Sequence, residues 1–446
     1  MLDLLIAGAG PAGMSAALEA AKHRIRPVVV DNRPEPGGNI YAYLESNLKN
    51  RPERMSIFGS DYAKGARLLS AFTGAVAAGR VEYLAKTRLW RMDGDGRFAV
   101  DGPRGPQSGQ AARVIMATGA QERPMPLPGW TLPGVMGVGA AQILMKSGGE
   151  LPAGGIAIVG AGPLPLLLAE QLSRTGRSVE AMIEPAGGSR LIAASSRLHG
   201  AMAAPGTVAK GALLLAQRRL RRVPVWRNAT DIVITGIDRA TGVALRSGRK
   251  RSVSAANVII HDGIVPNLNP LTAAGLELEY SDQQKTWHAR PNDLFQIAGD
   301  CAEILGVEAA IVSGRLAARR ASGAEPSDQD SQAMRKRRAF RRFIDMAYPP
   351  LRTASAGGPE TILCRCEAVT VKSVQIAVRR HGSDPNAIKR ALRIGMGPCQ
   401  GRMCMHSLTD FIASQTAVPA EAIAPLRGRD PILPVSFQTV AELEEL

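Results

Sequence analysis

Leu2-Asp3-Leu4-Leu5-Ile6-Ala7 runs directly into Gly8-Ala9-Gly10-Pro11-Ala12-Gly13, and then into Met14-Ser15-Ala16-Ala17-Leu18-Glu19-Ala20-Ala21-Lys22. The first segment reads as a buried parallel strand and the last as a helix. A further apolar run, Pro27-Val28-Val29-Val30, ends on Asp31. Strand, glycine turn, helix, strand and terminal acid make up the G-x-G-x-x-G dinucleotide unit in its full context. Gly8 permits the tight turn, Gly10 lets the backbone approach a pyrophosphate, and Gly13 lets the helix pack close to the sheet. Pro11 and Ala12 open the helix, whose free N–H groups would receive the anion. Asp31, with Asn32 beside it, is placed to accept hydrogen bonds from a ribose hydroxyl.

The same layout returns later. Ile156-Ala157-Ile158-Val159 is a strand, Gly160-Ala161-Gly162-Pro163-Leu164-Pro165 a turn, and a helix follows through Leu172. A strand over 179–183 then ends at Glu184. Here the third glycine position is Pro165. Proline can start a helix, yet it removes an N–H and the close contact that glycine allows. The second unit therefore reads as a nicotinamide-domain fold with a degenerate ligand site. Two such units in one chain predict an α/β protein with two Rossmann-like domains.

Other segments fill in this plan. Asn32-Arg33-Pro34-Glu35-Pro36-Gly37-Gly38-Asn39-Ile40-Tyr41 is a loop placed to line a bound cofactor, with Gly38 and Asn39 as candidate contacts. Residues 59–78 read as helix, and 81–84, 88–92 and 98–100 as strands of a small antiparallel element. The strand ending at Met116 closes on Ala117-Thr118-Gly119-Ala120, a turn that resembles the one ending the first part of FAD domains in two-domain flavoproteins. Residues 121–139, rich in proline and glycine, read as a domain crossing rather than an element. Short strands are expected over 223–226, 232–237, 243–245 and 257–260. Leu294-Phe295-Gln296-Ile297-Ala298 leads into Gly299-Asp300 and a helix over 308–319. That strand–Gly-Asp–helix order suits a carboxylate aimed at a flavin's ribityl or pyrophosphate oxygens; the plainer alternative is a helix cap. Residues 322–332 read as a linker and 333–347 as a basic helix.

The 446 residues suffice for about two or three domains. Aromatic residues make up only 4%, which argues against stacking platforms for single-stranded nucleic acid despite a formal charge of +16. The basic clusters at Arg218, Arg219, Arg221 and Arg222, and at 335–342, come with no nucleic-acid motif. They read as a solvated face or as a docking surface for an acidic partner. With no signal peptide and no membrane-length apolar run, a cytoplasmic protein is expected. A partner could still hold it against the inner face of a membrane.

Cys364-Arg365-Cys366 and Cys399-Gln400-Gly401-Arg402-Met403-Cys404 bring four of the five cysteines into one short region. Two short helices are expected between them. Four thiolates on such loops can hold a [2Fe–2S] cluster or zinc. C-x-C is unusual for structural zinc, so the cluster ranks first, zinc second and unligated thiols last. His406 is superfluous as a ligand and reads as structural. Cys301, single, reads as a small buried residue. A disulfide reductase would need a cysteine pair beside its flavin, and none is present.

The chain resembles the alpha-type (A) subunits of FAD-dependent opine dehydrogenases, the octopine and nopaline oxidases. It is also similar to D-hydroxyproline dehydrogenase alpha subunits and to the B subunit of hydrogen cyanide synthase. The motifs are G-A-G-P-A-G, P-G-G-N-I-Y, A-T-G-A-Q-E-R-P-M-P-L-P-G-W-T-L-P-G-V, G-A-G-P-L-P-L-L-L and C-R-C…G-M-G-P-C-Q-G-R-M-C. The last resembles the bacterioferritin-associated-ferredoxin-like [2Fe–2S] module. The resemblance implies a glutathione-reductase-like two-domain flavoprotein with a small C-terminal helical [2Fe–2S] domain. The corresponding spans are 1–120 with 262–325 for FAD, 121–261 for the second Rossmann domain, 326–358 for linker and basic helix, 359–411 for the cluster domain and 412–446 for a tail. FAD would be held by Gly8, Gly10, Pro11, Ala12, Gly13, Asp31, Asn32, Gly38, Asn39, Ala117, Thr118, Gly119, Gly299 and Asp300, and the cluster by Cys364, Cys366, Cys399 and Cys404. The resemblance also allows for an FMN at a subunit interface, which the residues themselves do not show.

In that family substrate is oxidised on a separate flavoprotein, the beta subunit, sometimes with a small third chain in the complex, and this chain would pass electrons to an acceptor. No catalytic acid or base is expected here. The competing expectations are a self-contained NAD(P)H-dependent FAD oxidoreductase, and a mainly structural partner that keeps a nucleotide in its first site.

Overall fold

The computed structural model describes residues 1–185, 194–351 and 357–443. Residues 352–356 of the expected linker and 444–446 of the tail lie outside them. Ten strands build the two main sheets among the described residues. They are β1 (Leu5–Ala7), β2 (Val28–Val30), β3 (Glu82–Leu84), β4 (Val114–Met116), β5 (Val135–Gly137), β6 (Ile156–Gly160), β7 (Ala181–Glu184), β8 (Val225–Arg227), β9 (Asn257–His261) and β10 (Phe295–Ile297). The first sheet has the order β10-β4-β1-β2-β3 and the second β8-β7-β6-β9-β5, and every pairing is parallel. The helices that matter for the site are α1 (Pro11–Lys22), α2 (Gly65–Ala77), α3 (Val138–Lys146), α4 (Pro163–Arg174), α5 (Pro205–Leu220), α6 (Val307–Ala321), α7 (Asp328–Ala347), α8 (Val371–His381), α9 (Pro385–Leu392) and α10 (Met405–Gln415).

Alternation along β1, β2 and β4 divides the first sheet between two cores. Ile6, Val29 and Ile115 pack with the alanines of α1 and α6. Those helices cross closely because Gly314 carries no Cβ; one built there would collide with the Ala12 carbonyl. Leu5, Ala7, Val30, Val114 and Met116 face the other way. They share a core with Met92, Phe98 and Val100 of a small antiparallel sheet and with Leu363, Val374, Leu408 and Phe411 of the cysteine-bearing module. In the second sheet Ala157, Val159, Ala181 and Ile183 pack with a three-stranded antiparallel sheet, through Ile234, Val243 and Leu245.

Several expectations are corrected. Residues 121–139 are not merely a crossing: Ala120–Glu122 pairs antiparallel with Ile264–Pro266, and β5 is an edge strand of the second sheet. Its neighbour β9 offers a free edge that the apolar Val135 and Met136 can complete. The helix over 59–78 is three pieces, Met55–Phe58, Ser60–Ala63 and α2, separated at Gly59, whose φ is +81°, and at Lys64. Helix α7 starts earlier than expected because Ser327 caps it by accepting from the Asp330 N–H, with Asp328 and Asp330 in the first turn. Polar strands Gly105–Gln110 and Arg249–Ser254 and the hairpin of Leu278–Ser281 with Thr286–Ala289 lack the apolar alternation that would announce them.

Candidate functional site

The carboxyl ends of β1, β2, β4 and β10 meet in one cleft. Gly8 sits at φ +107°, where a Cβ would run into the Ala117 carbonyl, and a Cβ on Gly13 would overlap the Gly8 carbonyl. These contacts bind the glycine turn, the first turn of α1 and the Ala117-Thr118-Gly119 segment into one unit. Gly38 faces Gly10 from the opposite loop, 3.0 Å away measured from a notional Cβ. On the far side Gly299 lies against Ala12, whose methyl would be 2.7 Å from a Cβ there, which puts Asp300 beside the glycine turn.

Donors and acceptors follow from this packing. Pro11 has no N–H, Met14 donates to the Gly10 carbonyl, and the Ala12 and Gly13 N–H groups are left for an anion. Asp31 accepts from Ala9 N–H at 2.6 Å and Arg33 N–H at 2.8 Å. Its carboxylate thus braces the glycine turn, a role the sequence alone does not suggest, and each oxygen retains a lone pair for a ribose hydroxyl. Burial pushes its pKa up. Asn39 bridges the rim, accepting from Arg33 at 2.5 Å and donating to the Ala120 carbonyl at 3.3 Å, while Asn32 stays exposed.

Asp300 takes the Leu305 and Gly306 N–H groups, yet its Oδ1 is buried with no partner. Burial raises its pKa. A buried acceptor without a donor calls for a ligand hydroxyl, so cap and ligand-binding roles coexist. Thr118 Oγ1 lies 3.1 Å from Cys301 Sγ, and burial lifts the Cys301 thiol to about 11, so it is no thiolate nucleophile.

Two residues of this rim carry no signal in the sequence. Lys146 of α3 is buried and donates to the Asn39 and Ile40 carbonyls at 2.9 and 2.8 Å; burial lowers its pKa to about 7. Asn267 donates its N–H to the Gly119 carbonyl at 3.0 Å, closing the cleft beside Thr118.

The four cysteines meet as two pairs. Cys404, at the N-cap of α10, donates to Cys364, which that bond holds at about 6 while Cys404 is pushed well up. Cys366 contacts Cys399, and burial raises Cys366. The first pair is buried; Cys366 is exposed. Gly397 allows the approach, since a Cβ there would sit 2.5 Å from that of Cys366. Among the described residues no three His, Cys, Asp or Glu side chains form a group that could hold a metal ion. Paired thiols suit a dinuclear cluster better than a tetrahedral zinc. His406 is buried and burial holds it neutral, in keeping with a structural role.

Polar side chains from the flavin side hold this module. Gln121 Nε2 donates to the Arg402 carbonyl and Asn269 Nδ2 to the Gln400 carbonyl, both at 2.7 Å. Buried Arg123 pairs with Asp410 of α10 at 3.3 Å, and Trp130 donates to the Ile362 carbonyl at 2.7 Å.

In the second unit both Pro163 and Pro165 lie in the first turn of α4, which leaves Leu164 as its sole early N–H. Glu184 ends β7 as expected but is clamped by Arg218 at 3.1 Å and Arg227 at 3.2 Å.

Residues 2–316 match the pyridine nucleotide-disulphide oxidoreductase family, and residues 362–414 match the BFD-like [2Fe-2S] binding domain. The chain is 37% identical to the opine oxidase A chain of Rhizobium meliloti, over 99% of this chain and 87% of that one. This chain belongs to the opine oxidase A-chain family. A second family member, from Agrobacterium tumefaciens (strain Ach5), is also 37% identical, over 99% and 92% of the two chains. The family extends toward hydrogen cyanide synthase subunit HcnB of Pseudomonas aeruginosa, 29% identical over 98% of each. Among solved structures, L-proline dehydrogenase from P. horikoshii shares the fold, with a TM-score of 0.73 at 19% identity over 98% of this chain and 79% of that one. As a member of the opine oxidase A-chain family the protein is a flavin oxidoreductase, and FAD and a [2Fe–2S] cluster are its cofactors. No helix among the described residues is long and apolar enough to cross a membrane.

Proposed function

We propose that this chain is the electron-transfer subunit of a hetero-oligomeric dehydrogenase that oxidises an opine or a related secondary-amine amino acid such as D-hydroxyproline or proline. The substrate's CH–NH bond is oxidised on a partner flavoprotein. When bound, FAD supplies two-electron chemistry and the [2Fe–2S] cluster one-electron chemistry. The Ala12 and Gly13 N–H groups receive the FAD pyrophosphate, Asp31 a ribose hydroxyl and Asp300 Oδ1 a ribityl hydroxyl. Cys364, Cys366, Cys399 and Cys404 hold the cluster.

One observation carries the reading. The loop between Cys399 and Cys404 is hydrogen-bonded by Gln121 and by Asn269, each two residues from an end of the Gly119–Asn267 contact in the FAD cleft. The two cofactor sites are therefore joined by a fixed polar bracket rather than a tether. The relatives' names support a multi-subunit oxidase. No acid–base pair in this chain is placed for substrate chemistry.

The test is an anaerobic visible spectrum of the purified chain, with iron and acid-labile sulfide assayed on the same sample. Flavin bands with about two irons and two sulfides per chain are expected. Zinc without sulfide would overturn the relay. Co-purification of a second flavoprotein, and assay of that complex with opines, D-hydroxyproline, proline and glycine, then fixes the substrate; activity with glycine alone would replace the opine reading by a cyanide-forming one.

A further inference from the structure

Helix α7 ends at Ala347, where the Tyr348 N–H donates to the Ile344 carbonyl at 2.8 Å. The chain then crosses the carboxyl edge of the second sheet. Tyr348 seats its ring base on Gly162, the N-cap of α4: a Cβ built on that glycine would lie 3.9 Å from Tyr348 Cγ. The phenol lies within electrostatic reach of Glu184, Arg218 and Arg227, the acid at the end of β7 and its two clamps. Three residues on, the Leu351 N–H donates to Asp262 Oδ1 at 2.6 Å, just past β9. Leu351 also packs with the core that holds Trp130, joined there by Met403. Pro349 and Pro350 stiffen the span between these anchors.

Gly162, Glu184 and Asp262 mark the ends of β6, β7 and β9. In an open α/β sheet that is where a nucleotide binds, with its phosphates on the glycine turn and its ribose on the acid ending the second strand. Tyr348 touches the first and neighbours the second. We propose that residues 348–351 are the built-in occupant of the second dinucleotide site, and that the chain excludes NAD(H) and NADP(H) from it. The surroundings agree. Glu184 is already paired with two guanidinium groups, and α4 offers an anion a single early N–H. The occupying segment links the basic helix to the cluster module, so the retired site serves as an anchorage.

The test uses the full chain carrying its cofactors. With Tyr348→p-benzoylphenylalanine, irradiation and peptide mapping should find adducts at residues 160–164 or around Glu184. Adducts elsewhere, or none, overturn the proposal. In parallel, NADH and NADPH titrated calorimetrically into the unaltered protein should show no saturation below about 1 mM. Saturable binding of one nucleotide per chain with FAD retained overturns it too. Flavin bleaching by NADH would sink both this inference and the relay, whereas NADH binding without bleaching sinks this inference alone.

Discussion

The two Rossmann units share strand order, turn and helix but treat their carboxyl edges in opposite ways. In the first, Gly10 looks across at another glycine, Gly38, two early N–H groups of α1 are free, and Asp300 carries a buried oxygen with no partner. In the second, Gly162 looks across at Tyr348, prolines remove two early N–H groups of α4, and Glu184 is clamped by arginines. The interiors hardly differ: β1 and β6 are buried along their whole length. The fold persists because the apolar core needs it, while ligand binding rests on a few atoms at the edge. Those few atoms can be lost without disturbing the rest.

Substitutions at matched positions can break this contrast. The largest effect is expected from Gly13→Ala, whose Cβ would overlap the Gly8 carbonyl, so that helix and sheet must separate at a cost of about 1–3 kcal/mol. Flavin per chain, read at its visible band, should fall at least about tenfold, since each 1.4 kcal/mol is roughly a factor of ten. Retained flavin would mean that the first unit is as replaceable as the second. Asp300→Ala should weaken FAD by roughly tenfold to a hundredfold, about 1–3 kcal/mol for one buried bond, with iron unchanged in the same preparation.

The pH dependence tests the other edge. Burial raises Asp262 to about 6, well above the usual carboxylate value near 4. A raised acid favours the folded state fully below about pH 4, and that contribution is lost as the pH rises through about 6. Asp262→Asn keeps an acceptor for Leu351 but cannot ionise. Its melting temperature relative to the parent should therefore climb from about pH 5 to about pH 7, by the equivalent of about 2 kcal/mol. A flat difference would show that Asp262 is not held in the buried setting described. The smallest effect belongs to Gly162→Ala. Its Cβ meets Tyr348 at ordinary contact distance, so only the φ of +121° opposes it, and stability should drop by about 1 kcal/mol with FAD and iron content intact.

What the sequence displays is what sits close along the chain. The glycine turns, Asp31 and Asp300 at strand ends and the cysteine spacing are local patterns with a direct physical reading. Gln121 and Asn269 are not legible as docking residues, because their partners lie 281 and 131 positions away and any polar residue on a loop looks alike from sequence. Tyr348, one aromatic after a basic helix, carries no motif at all. Asp31 shows the intermediate case: its place at the strand end is plain, but its bond to the Ala9 N–H belongs to the folded turn.

Strand β10 completes the first sheet from a point far along the chain, and the face of that sheet bearing Leu5, Val30 and Met116 joins a core with residues as late as Ile423 and Leu426. During synthesis at about 5–20 residues per second, the edge of β4 waits on the order of ten to forty seconds for β10 to emerge, and that face waits longer for its cover. The nascent amino-terminal half is thus an unfinished sheet, open to chaperones and to mispairing until the iron-binding end has been made. Release of the last helices from the ribosome, rather than formation of the first strands, sets the moment at which this polypeptide can become stable.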